Sequence, residues 1–150
     1  DIYITVEGGP SVSQDARAAR ARGAFVVPLC RTGGASNGMF NFPQDAFQKP
    51  HFASHSQWLL LASQDALLGE TAAAVSAIAE AYVAAEETVE AAAKRVRSML
   101  GRDVWIVCIL GEENFFHVDS ELLVRAIAEK LGAIASIEVH FVIGGTTVVQ

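Results

Sequence analysis

The sequence predicts an α/β fold in which a parallel sheet is covered by helices on both faces. Short apolar segments alternate along the chain with segments of helical pattern, as expected of strands joined by crossover helices. The apolar segments are continuous rather than alternating with polar residues, which is typical of strands buried on both faces. Three of them end in glycine, and a length of 150 residues suits one such domain.

Four strands are predicted from short runs of apolar, mostly β-branched residues. They are Ile2–Val6, Ala24–Leu29, Asp103–Leu110 and Ile137–Ile143. The last strand runs into a turn formed by Gly144, Gly145 and Thr146, and we expect another helix to begin at Gln150. The four strands predict a sheet in which successive strands are separated by helices.

The helices between these strands are predicted from capping residues. The first helix is expected to begin at a capping box formed by Ser11 and Gln14, with Gly23 at the C′ position. The helix before the fourth strand is expected to be capped by Asp119 or Ser120. Shorter helical turns are predicted over Pro43–Gln48 and Ser54–Ala62.

The longest predicted helical segment is Glu70–Leu100, which is rich in alanine and contains neither glycine nor proline. It forms either one long helix or two helices with a break near Glu86 and Glu87. Its apolar residues recur every three or four positions from Val75 to Met99. Two interpretations fit this spacing: a helix laid on a sheet, and a seam for pairing with another helix.

Composition excludes several classes of function. The net charge of −6 argues against a general nucleic-acid binder, and no apolar run reaches the roughly 18 residues that a membrane span needs. Cys30 and Cys108 lie in apolar runs and read as free thiols in a reducing compartment, so we expect a cytoplasmic protein. No spacing resembles a zinc site, and neither a metal nor a cofactor is predicted.

Glycine turns at strand ends are the main candidates for a binding site. Ligands of open parallel sheets bind beyond the carboxyl ends of the strands, where a helix N-terminus offers free N–H groups to a phosphate. The best candidate residues are Gly8, Gly9, Pro10, Ser11, Val12 and Ser13. The alternative is that Ser11 only caps the helix and that the glycines only turn the chain. Neither standard glycine-rich nucleotide motif is present.

Other strand ends supply further candidates. Arg31, Thr32, Gly33 and Gly34 follow the second strand, and Arg31 is either a bidentate phosphate ligand or a solvated arginine. Gly111, Asn114, Gly144, Gly145 and Thr146 complete the predicted nucleotide site. Asn114 either reads a base edge or stabilises a turn.

A region rich in aromatic residues lies between the second strand and the long helix. It contains Phe40, Phe42, Phe47, Phe52 and Trp58. These rings are interpreted either as a surface on which a base stacks, or as the packing of a long loop or a partner interface.

Val6–Asp15 resembles the PGGxGTxxE motif of the Lonely Guy (LOG) phosphoribohydrolases, a family long misannotated as lysine decarboxylases. The wider SLOG superfamily, which includes the N-terminal domain of melastatin-type TRP channels, has a similar EGGPGT turn and a strand ending in Gly-Gly-Thr. Arg31–Ser36 and Gly111–Phe116 look like its other loops. The resemblance implies a Rossmann-like domain and places Asp15 at the position of the motif's catalytic glutamate. A carboxylate in the first turn of a helix is also what the helix dipole favours.

The order of the segments differs from that of the family. Residues 1–69 resemble the family's C-terminal half, residues 70–100 form an alanine-rich connection, and residues 101–150 resemble the N-terminal half. A circular permutation, a piece of a tandem array and the ordered part of a longer protein would each explain this order. The four strands present would be contiguous in the sheet, with one edge strand-helix unit absent. We expect a homo-oligomer or a neighbouring domain to cover that edge.

Three functions are consistent with these features. The first is a SLOG-type module that binds a nucleoside phosphate or an ADP-ribose-like nucleotide without efficient catalysis. The second is a structural or assembly protein that has kept the fold. The third is an active phosphoribohydrolase that releases a base from a nucleoside monophosphate. This activity requires an arginine that the family carries in a segment unmatched here.

Overall fold

The computed structural model describes residues 1–89, 105–111, 118–134, 137–143 and 146–149. The strands are β1 (Ile2–Val6), β2 (Phe25–Leu29), β3 (Trp105–Gly111), β4 (Ile137–Ile143) and β5 (Thr146–Val149). The α-helices are α1 (Pro10–Ala21), α2 (His55–Leu60), α3 (Leu68–Val89) and α4 (Val118–Gly132). Three 3₁₀ turns, at Cys30–Thr32, Gly34–Asn37 and Gln44–Phe47, join β2 to α2.

The strands form one sheet in the order β2-β1-β3-β4-β5. The first four are parallel, and β5 pairs antiparallel with β4. The α/β class is therefore confirmed, and so is the contiguity of the four parallel strands. The strand β5 is an addition to the four that the sequence predicts, because the β-branched run from Thr146 to Val149 continues as a strand. Gln150, where a further helix is expected to begin, lies outside the described residues. Gly144 and Gly145 lie outside the described residues.

Helices cover both faces of the sheet. Successive strand residues point to opposite faces, so Ile2, Ile4 and Val6 point to one side of β1 and Tyr3 to the other. The three aliphatic residues lie in the main core together with buried residues of α3 and α4, whereas Tyr3 packs against the smaller cluster that α1 forms. The carboxyl ends of the parallel strands consequently lie between two helical layers.

The start of α1 differs from the predicted capping box. Gly9 is the N-cap, no side chain among the described residues caps the helix, and Pro10 occupies its first turn. Proline suits this place because it needs no hydrogen-bond partner for its nitrogen and its fixed φ already matches a helix. Gly23 follows the C-cap with φ of +82°, as predicted for the C′ position.

The alanine-rich helix lies on the sheet over its described length. Its buried residues, which include Val75, Ile78 and Val83, join the main core. Over Leu68–Val89 both interpretations hold, because the helix lies on the sheet and also packs along α4, whose buried residues belong to the same core. The predicted continuation to Leu100 lies outside the described residues. Among the helices described, none combines the length and the apolarity needed to cross a membrane.

The edge formed by β2 contains a residue that limits further strand pairing. Pro28 has no N–H to donate, and proline within a sheet is confined to edge strands, strand starts and bulges. At the start of the same strand, the ring of Phe25 stacks on Tyr82 at 5.0 Å and meets Phe52 edge-on at 5.1 Å. Rings from the aromatic loop and from α3 are thus used to pack the sheet next to this edge.

Candidate functional site

The connections between strands create a switch point between β1 and β3. The chain leaves β1 through α1 to reach β2 on one side, and it leaves β3 through α4 to reach β4 on the other side. A crevice opens at the carboxyl ends of two neighbouring parallel strands whose connections diverge in this way, and ligands of open α/β sheets bind there. The described residues at this point are Glu7–Gly9 and the first turn of α4.

Glu7 is the residue that joins the loops around the switch point. Its N–H donates to Thr32 Oγ1 at 2.8 Å, and its carbonyl accepts from both the N–H and the hydroxyl of Ser36 at 3.0 Å. Its carboxylate, in a residue only 4% exposed, accepts a hydrogen bond from the buried hydroxyl of Ser120 in α4. Glu7 has φ of +50°, an uncommon backbone conformation for a residue other than glycine. These bonds hold it in place.

Two glycines allow the loops after β1 and β2 to pack backbone against backbone. A Cβ on Gly34 would lie 2.5 Å from the carbonyl oxygen of Gly8, and a Cβ on Gly8 would lie 2.5 Å from the side chain of Val12. Both glycines have positive φ, +58° for Gly34 and +88° for Gly8. The N–H of Ala35 donates to the Gly8 carbonyl at 2.7 Å. The sequence predicts that these glycines form phosphate-binding turns. In the structure, they allow the two loops to pack closely against each other.

The N-terminus of α1 lies directly after this pair of loops. Helix geometry leaves the N–H groups of Ser11 and Val12 without acceptors within the helix, and the end of the helix carries a partial positive charge. Gly9 has no side chain to cap these donors, and no acidic residue lies in the first turn. Ser11 is exposed and Val12 is buried. Asp15 lies beyond the first turn, so the explanation of its carboxylate by the helix dipole is wrong.

The hydroxyls of two predicted phosphate ligands form hydrogen bonds within the chain. Ser13 is buried and donates to the carbonyl of Phe40 at 2.8 Å. The hydroxyl of Thr32 accepts from Glu7 and donates to the carbonyl of Leu29 at 2.6 Å. Both side chains therefore stabilise loop positions.

Arg31 and Cys30 have their own partners beside the switch point. Arg31 Nη1 donates to Thr71 Oγ1 at 2.6 Å and to the carbonyl of Ala66 at 2.9 Å, which ties the loop after β2 to the start of α3. The Arg31 side chain is therefore not simply solvated, because its guanidinium forms hydrogen bonds within the chain. Burial raises the pKa of the Cys30 thiol, so this free cysteine is a poor nucleophile.

The other predicted residues are distributed over the far strands. Gly111 ends β3 in register with Ile143 of β4, at the carboxyl edge of the sheet. Thr146 pairs with Ile143 as the first residue of β5, so it belongs to a strand ladder. Asn114 lies outside the described residues. Within the described ranges, no group of three histidine, cysteine or acidic side chains is arranged to hold a metal ion.

No protein-family model, curated protein or solved structure matches this chain.

Sequence reasoning missed Arg17, an exposed residue of α1 next to the predicted site. Its Nη1 donates to the carbonyl of Asn41 at 2.8 Å and to that of Phe40 at 3.4 Å. Its Nε and Nη2 form no hydrogen bond within the part of the chain that the structure describes. The helical spacing from Ser13 to Arg17 places both on one face of α1 and could have been noticed in the sequence. Their common partner, 23 and more residues away, could not.

Proposed function

We propose that this chain is a nucleotide-binding module that holds a nucleoside phosphate at the switch point between β1 and β3. The supporting observation is the uncapped N-terminus of α1, which directly follows the Glu7–Gly9 turn at that crevice. Phosphate oxygens there would accept hydrogen bonds from the N–H groups of Ser11 and Val12, and the helix dipole would favour their charge. The exposed guanidinium of Arg17, about two turns along α1 from the N-cap, adds a positive charge.

The proposal includes a Rossmann-like domain of the SLOG type in permuted order. The strand order β2-β1-β3-β4 agrees with the order that the resemblance implies, in which the strand like β3 lies between those like β4 and β1. The Glu7–Gly9 turn and the Gly-Gly-Thr sequence at residues 144–146 occur at the ends of the corresponding strands. Catalysis is not part of the proposal, because the family's catalytic arginine, which would act together with Asp15, has no counterpart in this sequence.

A structural or assembly role is the second candidate. It is favoured by the hydrogen bonds of Ser13, Thr32 and Arg31, since all three side chains hold loops of the chain itself. A protein that had kept this fold and lost its ligand would retain these bonds.

Thermal unfolding with and without AMP, ADP-ribose and ribose 5-phosphate tests the proposal. A ligand at about 100 times its Kd stabilises a protein by about 2.7 kcal/mol, which is several degrees of midpoint for a domain of this size. We expect the shift to disappear in Gly9→Asp, because an aspartate at the N-cap occupies the helix N–H groups with its own negative charge. Gly9→Asn is the matched control, since it caps the helix without that charge.

The unliganded midpoints of the two variants serve as the folding control, and both are expected to equal or exceed that of the wild type. If nucleotide shifts the unfolding midpoints of Gly9→Asp and Gly9→Asn equally, the phosphate does not bind at the N-terminus of α1. The absence of any shift in the wild type would favour the structural role. Chromatographic detection of free adenine after incubation with AMP would instead establish phosphoribohydrolase activity.

A further inference from the structure

The aromatic loop residues differ in their exposure to solvent. Phe42 is buried against Phe47 with ring centroids 5.4 Å apart, and Phe52 packs against the main core. Trp58 packs against the same core and donates from Nε1 to the carbonyl of Phe47 at 3.3 Å. Phe40 is 44% exposed, so of these five rings it is the one turned most to solvent.

The exposed ring of Phe40 is held in a strained backbone conformation. Phe40 and Asn41 both have φ of +58°, which is a genuine outlier for a bulky residue and costs on the order of 1 kcal/mol or more. The hydroxyl of Ser13 and the guanidinium of Arg17 both donate to the carbonyl of Phe40 and fix the turn. Strain of this kind persists only where surrounding contacts determine the conformation, and it clusters at sites that grip ligands.

The same contacts fix the position of Phe40 relative to the candidate phosphate site. The N–H of Ser13 bonds to the carbonyl of Gly9, so Ser13 lies one turn, about 5.4 Å, along α1 from the N-cap. Phe40 is bonded to the side chain of Ser13, and its neighbour Met39 is 54% exposed. The carbonyl of Phe40 is thus held between Ser13, one turn along α1 from the N-cap, and Arg17, one turn further. The exposed ring of Phe40 lies on the segment that these two residues fix beside α1.

We propose that the ring of Phe40 is the surface on which the base of the bound nucleotide stacks. The inference rests on the proposed nucleotide-binding function and adds recognition of the base to it. A flat aromatic surface beside a positive group is complementary to a ligand that joins an aromatic base to an anion. Stacking accepts any base because every base has a π-face, so the site would select nucleotides as a class.

The test compares AMP with ribose 5-phosphate, which carries the same phosphate and sugar without the base, by isothermal titration calorimetry. Phe40→Gly removes the ring and also accepts the positive φ, so its fold is expected to be at least as stable locally. We expect it to weaken AMP binding about fivefold or more and to leave ribose 5-phosphate unchanged. Phe40→Trp is expected to retain AMP affinity, because the larger ring also stacks. Leu67→Ala, which trims a side chain that is 70% exposed, is the control and should change neither affinity.

The two proposals fail in different ways. If ribose 5-phosphate and AMP both fail to bind the wild type, the proposed function and the proposed base stacking are both wrong. If ribose 5-phosphate binds, and Phe40→Gly binds AMP as tightly as the wild type does, the base does not stack on Phe40, although phosphate binding stands. Loss of both ligands in Phe40→Gly would also contradict the inference, because a stacking surface affects the base alone.

Discussion

Gly34→Ala should destabilise the protein strongly, because a methyl group at this position has no space between the loops after β1 and β2. The new Cβ would lie 2.5 Å from the carbonyl oxygen of Gly8, whereas real Cβ atoms essentially never come within 3.0 Å, so the two loops must separate by at least 0.5 Å. The φ of +58° adds about 1–2 kcal/mol for alanine. Separation also weakens the bonds from Ala35 to Gly8 and from Ser36 to Glu7, each contributing about 1 kcal/mol. The expected cost is about 3–4 kcal/mol.

Gly23→Ala is the matched control for the backbone conformation. Gly23 also has a positive φ, of +82°, but a Cβ there would meet nothing within 4 Å. Its substitution should therefore cost only about 1–2 kcal/mol. Urea unfolding at equilibrium, followed by circular dichroism, measures both variants, and the midpoints are comparable if the m-values are equal. Equal losses of stability in the two variants would refute the close contact between the loops after β1 and β2.

Two further predictions concern charged groups. Ser120→Ala should lower the free energy of unfolding by about 1–3 kcal/mol, because it removes a donor from the buried carboxylate of Glu7; a loss within error in urea unfolding would mean that this bond does not stabilise the fold. The side-chain hydrogen bond from Arg20 holds the pKa of Asp45 below its ordinary value. This pair therefore stabilises the protein at pH values above the unfolded-state pKa of about 4. The stabilisation is lost as the pH falls through the lower folded-state pKa. Arg20→Ala should accordingly be less stable than the wild type near neutral pH, by under about 1 kcal/mol because the pair is exposed, and the difference should vanish in acid; a difference that persists at low pH would contradict this origin.

Much of the sheet was predictable because its strands are continuous apolar runs. Ile2–Val6 and Ile137–Ile143 have the bounds that the sequence predicts, and the strand over Phe25–Leu29 begins one residue later than predicted. Burial on both faces demands apolar residues at every position, so the pattern is unambiguous. The fifth strand was missed because a glycine pair at the end of a strand is compatible with a hairpin as well as with a turn into a helix.

The candidate site was predictable in its location and much less so in its contacts. Glycines at a strand end before a helix indicated the turn at Gly8, and the structure has the helix starting there. The sequence predicted that the Ser13 hydroxyl binds a phosphate, whereas it donates a hydrogen bond to the carbonyl of Phe40, 27 residues away. The N-cap was likewise predicted two positions too late, at Ser11 instead of Gly9, because Pro10 suits the first turn of the helix without a side-chain cap.

The sequence by itself determined the α/β class, most of the strand bounds and the turns that glycine requires, since hydrophobic period and backbone sterics act over a few residues. The tertiary structure alone decided that Glu7 meets Ser120 across 113 residues, that Gly34 packs against Gly8, and that Phe40 is exposed while Phe42 is buried. These features depend on which loops the sheet order brings to one edge. That order is set by the packing of whole helices on the sheet, which no local pattern encodes.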